Sequence, residues 1–345
     1  MKLNKNTFKN SDMNKNTLVI SLGDPAGIGT EITLKALGSK LLNENIHPLL
    51  VGCKNNIYKN YSKLIDHGIN NIPDPKYLDI LDVPLEKEII PGIVNKDSGS
   101  ASFEWLVRAT NTVLEGKARA LITAPISKIA WHKAGHRFAG QTELLGKLTN
   151  KKTSMLFTAV SPRNGWRFNT LLATTHIPLN KINNTLTKEL IKHKLDSLLN
   201  FCRKFKEEPL IQIAGLNPHA GEEGKIGIEE QNLIIPILNE WKLENSGIQV
   251  IGPTPPDTCW ISSAEAWNSD STKNNAPDGT LALYHDQGLI PVKLIAFDEA
   301  VNTTLGLPFV RTSPDHGTAL DIAGKFKARE TSMIAAINNA WILSQ

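Results

Sequence analysis

Short runs of Val, Ile and Leu recur along this chain, each followed by a longer amphipathic stretch, and that alternation restricts it to a mostly parallel sheet covered by helices. The runs fall at 17–22, 48–53, 118–124, 153–160, 169–175, 210–216, 249–253, 280–284 and 292–297. Helical periodicity fills the gaps: Thr30 is placed to cap a helix over 31–42, residues 98–115 run to a stop at Gly116, and 187–205, 229–243 and 331–343 show the same spacing. One stretch, 262–278, is rich in Ser, Asn and Asp without period and reads as a surface insertion. With 345 residues, 41% of them hydrophobic and 21% charged, the chain is long enough for two packed cores.

The formal charge of +4 is small, and Lys2, Lys5, Lys9 and Lys15 supply much of it within the first sixteen residues. No basic face for nucleic acid is implied. Those sixteen residues lack an apolar h-region and an Arg, so they read as a disordered extension and not as a leader, with Met13 a candidate start. No apolar run approaches the roughly 20 residues of a membrane span, and a cytoplasmic protein is expected. Cys53, Cys202 and Cys259 are far apart and odd in number, which disfavours a disulfide framework and a thiolate metal site.

Three histidines each follow a strand: His176 ends LLATTH, His219 lies in GLNPHAGE and His285 ends LALYH. Carboxyl ends of strands form the ligand crevice of open α/β sheets, so imidazoles 43 and 66 residues apart can converge there. Three neutral imidazoles leave a coordination position open, as in catalytic zinc sites, and Asn217, Asp286 and Gln287 stand where they could orient the ligands. An all-imidazole set suits zinc or cobalt, with magnesium a poor match. The bland alternative is three unrelated polar residues.

The segment GDPAGIGTE after the first strand reads either as an anion-binding loop or as a tight structural turn, since its glycine spacing matches neither the dinucleotide fingerprint nor the P-loop. Toward the C-terminus Lys293, Asn302 and Arg311 suit a ligand carrying phosphate and carboxylate. Ser313, Asp315 and His316 lack the elbow of a hydrolase triad.

The strings GDPAGIG, TAPISK, FAGQTE, LATTHIPL, GLNPHAGE, YHDQGL, NTTLGLP and RTSPDHGTALDIAG, in this order, resemble the motifs of the 4-hydroxythreonine-4-phosphate dehydrogenase family. That resemblance implies two α/β/α domains of the isocitrate and isopropylmalate dehydrogenase type, with the active site in the interdomain cleft at a homodimer interface. Residues 17–130 with 300–345 would form the first domain, and 131–299 the second, carrying the metal histidines. Divalent-metal ligands would be His176, His219 and His285; substrate-binding residues would be Gln141, Thr142, Lys293, Asn302 and Arg311. Gln141 stands where the family has histidine, and it can hydrogen-bond but not titrate. One form of shared site takes His176 and His219 from one chain and His285 from its partner.

The implied reaction is oxidation of 4-phosphooxy-L-threonine by NAD or NADP to 2-amino-3-oxo-4-phosphooxybutanoate, which decarboxylates to 3-amino-2-oxopropyl phosphate in pyridoxine 5'-phosphate biosynthesis. Asp257 and Asp286 are the candidate proton acceptors. The rivals are a threonate or erythronate 4-phosphate dehydrogenase, a phosphate acyltransferase of the same fold, and a two-lobed binding protein.

Overall fold

A computed structural model describes residues 16–271 and 275–345. The expected extension at 1–16 therefore lies, except for Asn16, outside the described residues. Chain contacts divide the molecule into two units, one ending at Thr153 and resuming over Leu307–Gln345, the other Ser154–Gly306. These bounds differ from the expected 130/131 and 299/300. Residues 131–153 stay with the first unit because the Trp131 indole donates to Ser102 Oγ at 2.9 Å and Gln141 donates to the Ala124 carbonyl at 3.1 Å. Residues 301–305 stay with the second because they pair with its first strand.

In the first unit, β1 (Thr17–Ser21), β2 (His47–Gly52), β3 (Asp79–Asp82) and β4 (Ala120–Thr123) precede the long second unit. That unit holds β5 (Ser154–Val160), β6 (Arg167–Leu172), β7 (Ile211–Ala214), β8 (Val250–Thr254), β9 (Gly279–Ala282) and β10 (Val301–Leu305), after which β11 (Val310–Pro314) rejoins the first. The first unit's strands run β3-β2-β1-β4-β11, all parallel. The second unit's run β10-β5-β6-β9-β7-β8, antiparallel across β10-β5-β6 and parallel beyond. β1 and β4 are buried along their whole length, as strands covered on both faces must be.

Local chemistry sets the helix ends. Asn95 accepts from the Ser98 backbone N–H at 2.8 Å while the Ser98 hydroxyl accepts from Asn95 N, a reciprocal cap worth about 1 kcal/mol that starts helix Lys96–Leu114. Thr187 Oγ1 accepts from the Leu190 N–H at 3.2 Å and caps helix Lys188–Cys202. Thr30 does not cap: the helix is Gly29–Leu37 with Ile28 at its N-cap position, and no side chain closes it.

Two further expectations are corrected. Residues 292–297 are not a strand; 292–295 are the last turn of helix His285–Ile295, 296 and 297 follow its end, and its Leu289 and Val292 enter a core with Phe157, Phe168, Leu172 and Trp267. Within 262–278, helix Ile261–Asn268 buries Ser263, Ala266 and Trp267, and the Asn164 amide donates to the Ala266 and Ser269 carbonyls, so this part is built into the unit. Among the described residues no helix is long and apolar enough to cross a membrane.

Candidate active site

In the second unit the imidazoles of His176 and His285 face each other with ring centroids 5.4 Å apart. An ion about 2.1 Å from each ligating nitrogen, at a tetrahedral angle, would put two such centroids roughly 5 Å apart, so the spacing fits two ligands of one ion. His285 Nδ1 lies 2.7 Å from Asp286 Oδ1, which leaves Nε2 as the nitrogen for a ligand. The pair borders a cavity of about 280 Å³ also lined by Thr174, Leu179, Tyr284 and Asp286. Both rings are there for local reasons. His176 follows β6 at a backbone φ of 39°, and His285 is the first residue of its helix.

His219 follows β7 in a turn, His219 to Glu223, whose φ values are all positive. Left-handed backbone costs a non-glycine residue roughly 1–2 kcal/mol, and such outliers gather at functional sites. Eight described non-glycine residues have positive φ, and two of the three candidate ligands are among them. Among the described residues, however, no three His, Cys, Asp or Glu side chains are grouped to hold an ion. His176 and His285 thus lie side by side, and His219 is not grouped with them.

Asp286 borders the cavity, whereas Asp257 is exposed on the turn after β8 and does not line it. Lys293 lies on the solvent side of helix His285–Ile295, its ammonium 5.7 Å from the Phe297 ring. Asn302, on β10, keeps a buried Oδ1 that accepts no hydrogen bond.

The first unit carries the other candidates around the end of β4. Arg311, 2% exposed on β11, donates through Nε and Nη2 to Thr123 Oγ1, at 3.2 and 2.6 Å. Burial pulls its pKa down to about 10, against a partial upward pull from Glu143. Gln141 and Thr142 open helix Gln141–Thr149. The Gln141 Nε2 donates to the Ala124 carbonyl at 3.1 Å, which fixes the amide's orientation and leaves a buried Oε1 without a donor.

The glycine loop is first of all a close-packed turn. Gly23 has φ 71°, and a Cβ there would meet the Pro125 carbonyl at 2.3 Å; one on Gly29 would meet Leu22 O at 2.1 Å. Its Asp24, missed in the sequence although it sits inside a quoted motif, is 1% exposed with Oδ2 unpartnered. Burial raises its pKa, opposed by hydrogen bonds from Ala26, Ser98 and Ser127. Pro25 and Gly27 border a cavity of about 290 Å³ lined by Asn56, Asn60, Lys59 and Lys63 together with Glu31 and Glu88, and Lys59 is ion-paired with Glu88. The thiols offer no rival chemistry. Cys53, Cys202 and Cys259 are free and buried, and burial pushes Cys259 up to about 12 and Cys202 upward as well.

A family model described as pyridoxal phosphate biosynthetic protein PdxA matches residues 44–340. The 4-hydroxythreonine-4-phosphate dehydrogenase of Synechococcus sp. (strain RCC307) is 54% identical over 324 residues, 94% of this chain and 98% of that one. D-threonate 4-phosphate dehydrogenase of Pectobacterium atrosepticum is 36% identical over 341 residues, 95% of this chain and 99% of that one. Among solved structures, a 4-hydroxythreonine-4-phosphate dehydrogenase from Klebsiella pneumoniae matches with a TM-score of 0.78 at 34% identity, covering 96% of this chain and 98% of that one. Matched by the family model over most of its length and by these relatives over nearly all of it, the chain belongs to the PdxA family of pyridoxal phosphate biosynthetic proteins.

Proposed function

We propose that this protein is a 4-hydroxythreonine-4-phosphate dehydrogenase, oxidising the C3 alcohol of 4-phosphooxy-L-threonine with NAD or NADP to a 3-oxo acid that loses CO2. The observation that carries the reading is the 54% identity to a dehydrogenase of that name, sustained over 94% of the chain. His176 and His285, with His219 as the third, would hold a divalent ion, zinc or cobalt by the chemistry of an all-imidazole set. When bound, such an ion acts as a Lewis acid on the alcohol and on the ketone it becomes, and the nicotinamide is the hydride acceptor.

The chain's own residues account for recognition. The buried Arg311 guanidinium and the Lys293 ammonium suit the substrate's anionic groups, Arg through its planar fork and Lys as a point charge. The free amide oxygens of Gln141 and Asn302 can accept from the substrate's ammonium and hydroxyl groups, and Gln141, unlike histidine, does so without moving a proton. Asp286, held against His285 Nδ1, orients that ring, and its exposed carboxylate is the better candidate to take the alcohol proton because Asp257 does not border the cavity. A homodimer with a shared site is part of the proposal. Ile290 and Leu294 are 58% and 82% exposed four residues apart on the His285 helix, with Phe297 56% exposed just beyond, an apolar stripe that suits a second copy.

Purified protein, mixed with NAD or NADP and either 4-phosphooxy-L-threonine or D-threonate 4-phosphate, tests this directly by absorbance of the reduced nicotinamide. Faster turnover of the amino acid is expected, since identity to the 4-hydroxythreonine-4-phosphate dehydrogenase is 54% against 36% to the D-threonate 4-phosphate enzyme. Turnover of the threonate alone would reassign the substrate, and turnover of neither would overturn the reading.

A further inference from the structure

Five consecutive residues, His219 to Glu223, hold φ values of 53°, 53°, 82°, 43° and 56°, and only Gly221 is a glycine. Ala and Glu ordinarily favour the right-handed helix, so the run does not hold itself in this shape. The restraint comes from Glu230, whose side chain is buried at 1% exposure. Its Oε1 accepts from the backbone N–H of Leu216 and of Asn217, both at 2.7 Å, and its Oε2 accepts from the Asn217 amide at 2.8 Å. Asn217 donates also to Glu229 Oε2 at 2.7 Å, and its carbonyl accepts from Ala220 N–H at 3.0 Å inside the turn.

The surrounding backbone is closed on this clamp. A Cβ on Gly221 would come to 2.8 Å from Glu230 Oε2, and one on Gly227 to 2.2 Å from the Asn217 amide. Glu230 also opens the π-helical turn Glu230–Ile234, a rare geometry that recurs at functional places. A parallel tie exists at the neighbouring strand. The buried Gln287 accepts from Leu283 N–H at 2.7 Å and donates to Gly215 O at 2.6 Å, joining the end of β9, which leads to His285, to the end of β7, which leads to His219.

We infer that Glu230 is the positioning residue for His219: it touches neither substrate nor ion, and its carboxylate fixes the left-handed turn that aims the imidazole. A carboxylate only accepts, so it satisfies all three donors together. An amide in its place would turn an NH2 toward one of them. The inference rests on His219 being a metal ligand.

The test compares wild type with Glu230→Gln, Glu230→Asp, Asn217→Ala and, as a control for general destabilisation, Leu156→Ala in the buried centre of β5. Metal-free proteins are titrated with cobalt(II) chloride and followed by visible absorption, and kinetics and melting temperature are recorded alongside. Loss of the clamp should weaken cobalt binding by about 10- to 100-fold, the range for removing a partner that orients a ligand. Glu230→Gln should show this in full and Glu230→Asp in part, with KM for the nicotinamide cofactor unchanged. Leu156→Ala should melt earlier yet bind cobalt as wild type does. Wild-type cobalt affinity in Glu230→Gln and Asn217→Ala would overturn the inference. So would an equal loss in Leu156→Ala. A wild type with no cobalt spectrum would instead remove the ligand role of His219, which separates failure of the metal reading from failure of the clamp.

Discussion

The imidazoles of His176 and His285, contributed by the segments after β6 and β9, lie 5.4 Å apart between centroids and are tilted by 40°. Two aromatic rings that meet only to pack are found inside a core, whereas His176 is exposed and His285 half-exposed at the rim of a cavity. Each ring should therefore matter to metal affinity more than to folding. Either His→Ala variant should lose more zinc affinity than the roughly 10- to 100-fold expected of Asp286→Ala, which removes only the group on Nδ1. Equilibrium dialysis with zinc gives the ranking, and chelation should abolish turnover in the wild type. Full activity of the metal-free protein would end the Lewis-acid reading.

Arg311 separates function from stability. A charge buried at 2% exposure is expensive for the fold, so Arg311→Met should leave the melting temperature unchanged or raise it. The same change should lower kcat/KM by on the order of 2–5 kcal/mol in transition-state terms, the range for losing one partner of a desolvated charge pair. A less stable protein with normal kinetics would make Arg311 a structural residue.

How far the sequence reveals this molecule depends on whether a residue's neighbours are local. The alternation of apolar runs finds β1, β4 and β7, which are buried on both faces, and His176, His219 and His285 are legible because strand ends are. β10 and β11 escape it because they bury Thr303, Thr304, Arg311, Thr312 and Ser313, polar residues that break any apolar pattern. Residues 292–297 mislead in the opposite way. The helix carries apolar side chains on its buried face at Leu289 and Val292 and on its exposed face at Ile290 and Leu294, so no amphipathic period survives. Glu230 is unreadable for a third reason: its partners lie 13 and 14 residues back along the chain, and nothing in EEQ announces them.

Lys194 gives a pH dependence unrelated to catalysis. Its ammonium, 7% exposed, donates to Ser154 Oγ at 2.8 Å, and burial pulls its pKa from 10.5 down to about 8. Between those values the unfolded chain keeps a proton that the folded chain has released, so stability rises with pH across the window from about 8 to 10.5. Below about pH 8 both states are charged and the burial penalty, about 3 kcal/mol, acts in full. Lys194→Met should therefore stabilise the protein at pH 7 by on the order of 1–3 kcal/mol and flatten that rise. Urea melts at pH 7, 8 and 9.5 measure it, and parallel curves for the two proteins would refute the assignment.

Because His176 and His285 meet within one chain while His219 stays outside their pair, a shared site would have the partner subunit supply His219. The two single variants His219→Ala and His285→Ala would then be inactive as homodimers. Mixed and allowed to exchange at random, half of the dimers become heterodimers, and each heterodimer has one site with both lesions and one with neither, as two-fold symmetry requires. About a quarter of wild-type activity should return. Mixing His176→Ala with His285→Ala should return none, since both lesions fall on the pair one chain contributes and every site then lacks one of them. If exchange is verified by a mass-tagged subunit and the first mixture also stays silent, all three histidines must act from one chain, and the His219 turn would have to bring its own imidazole to the pair.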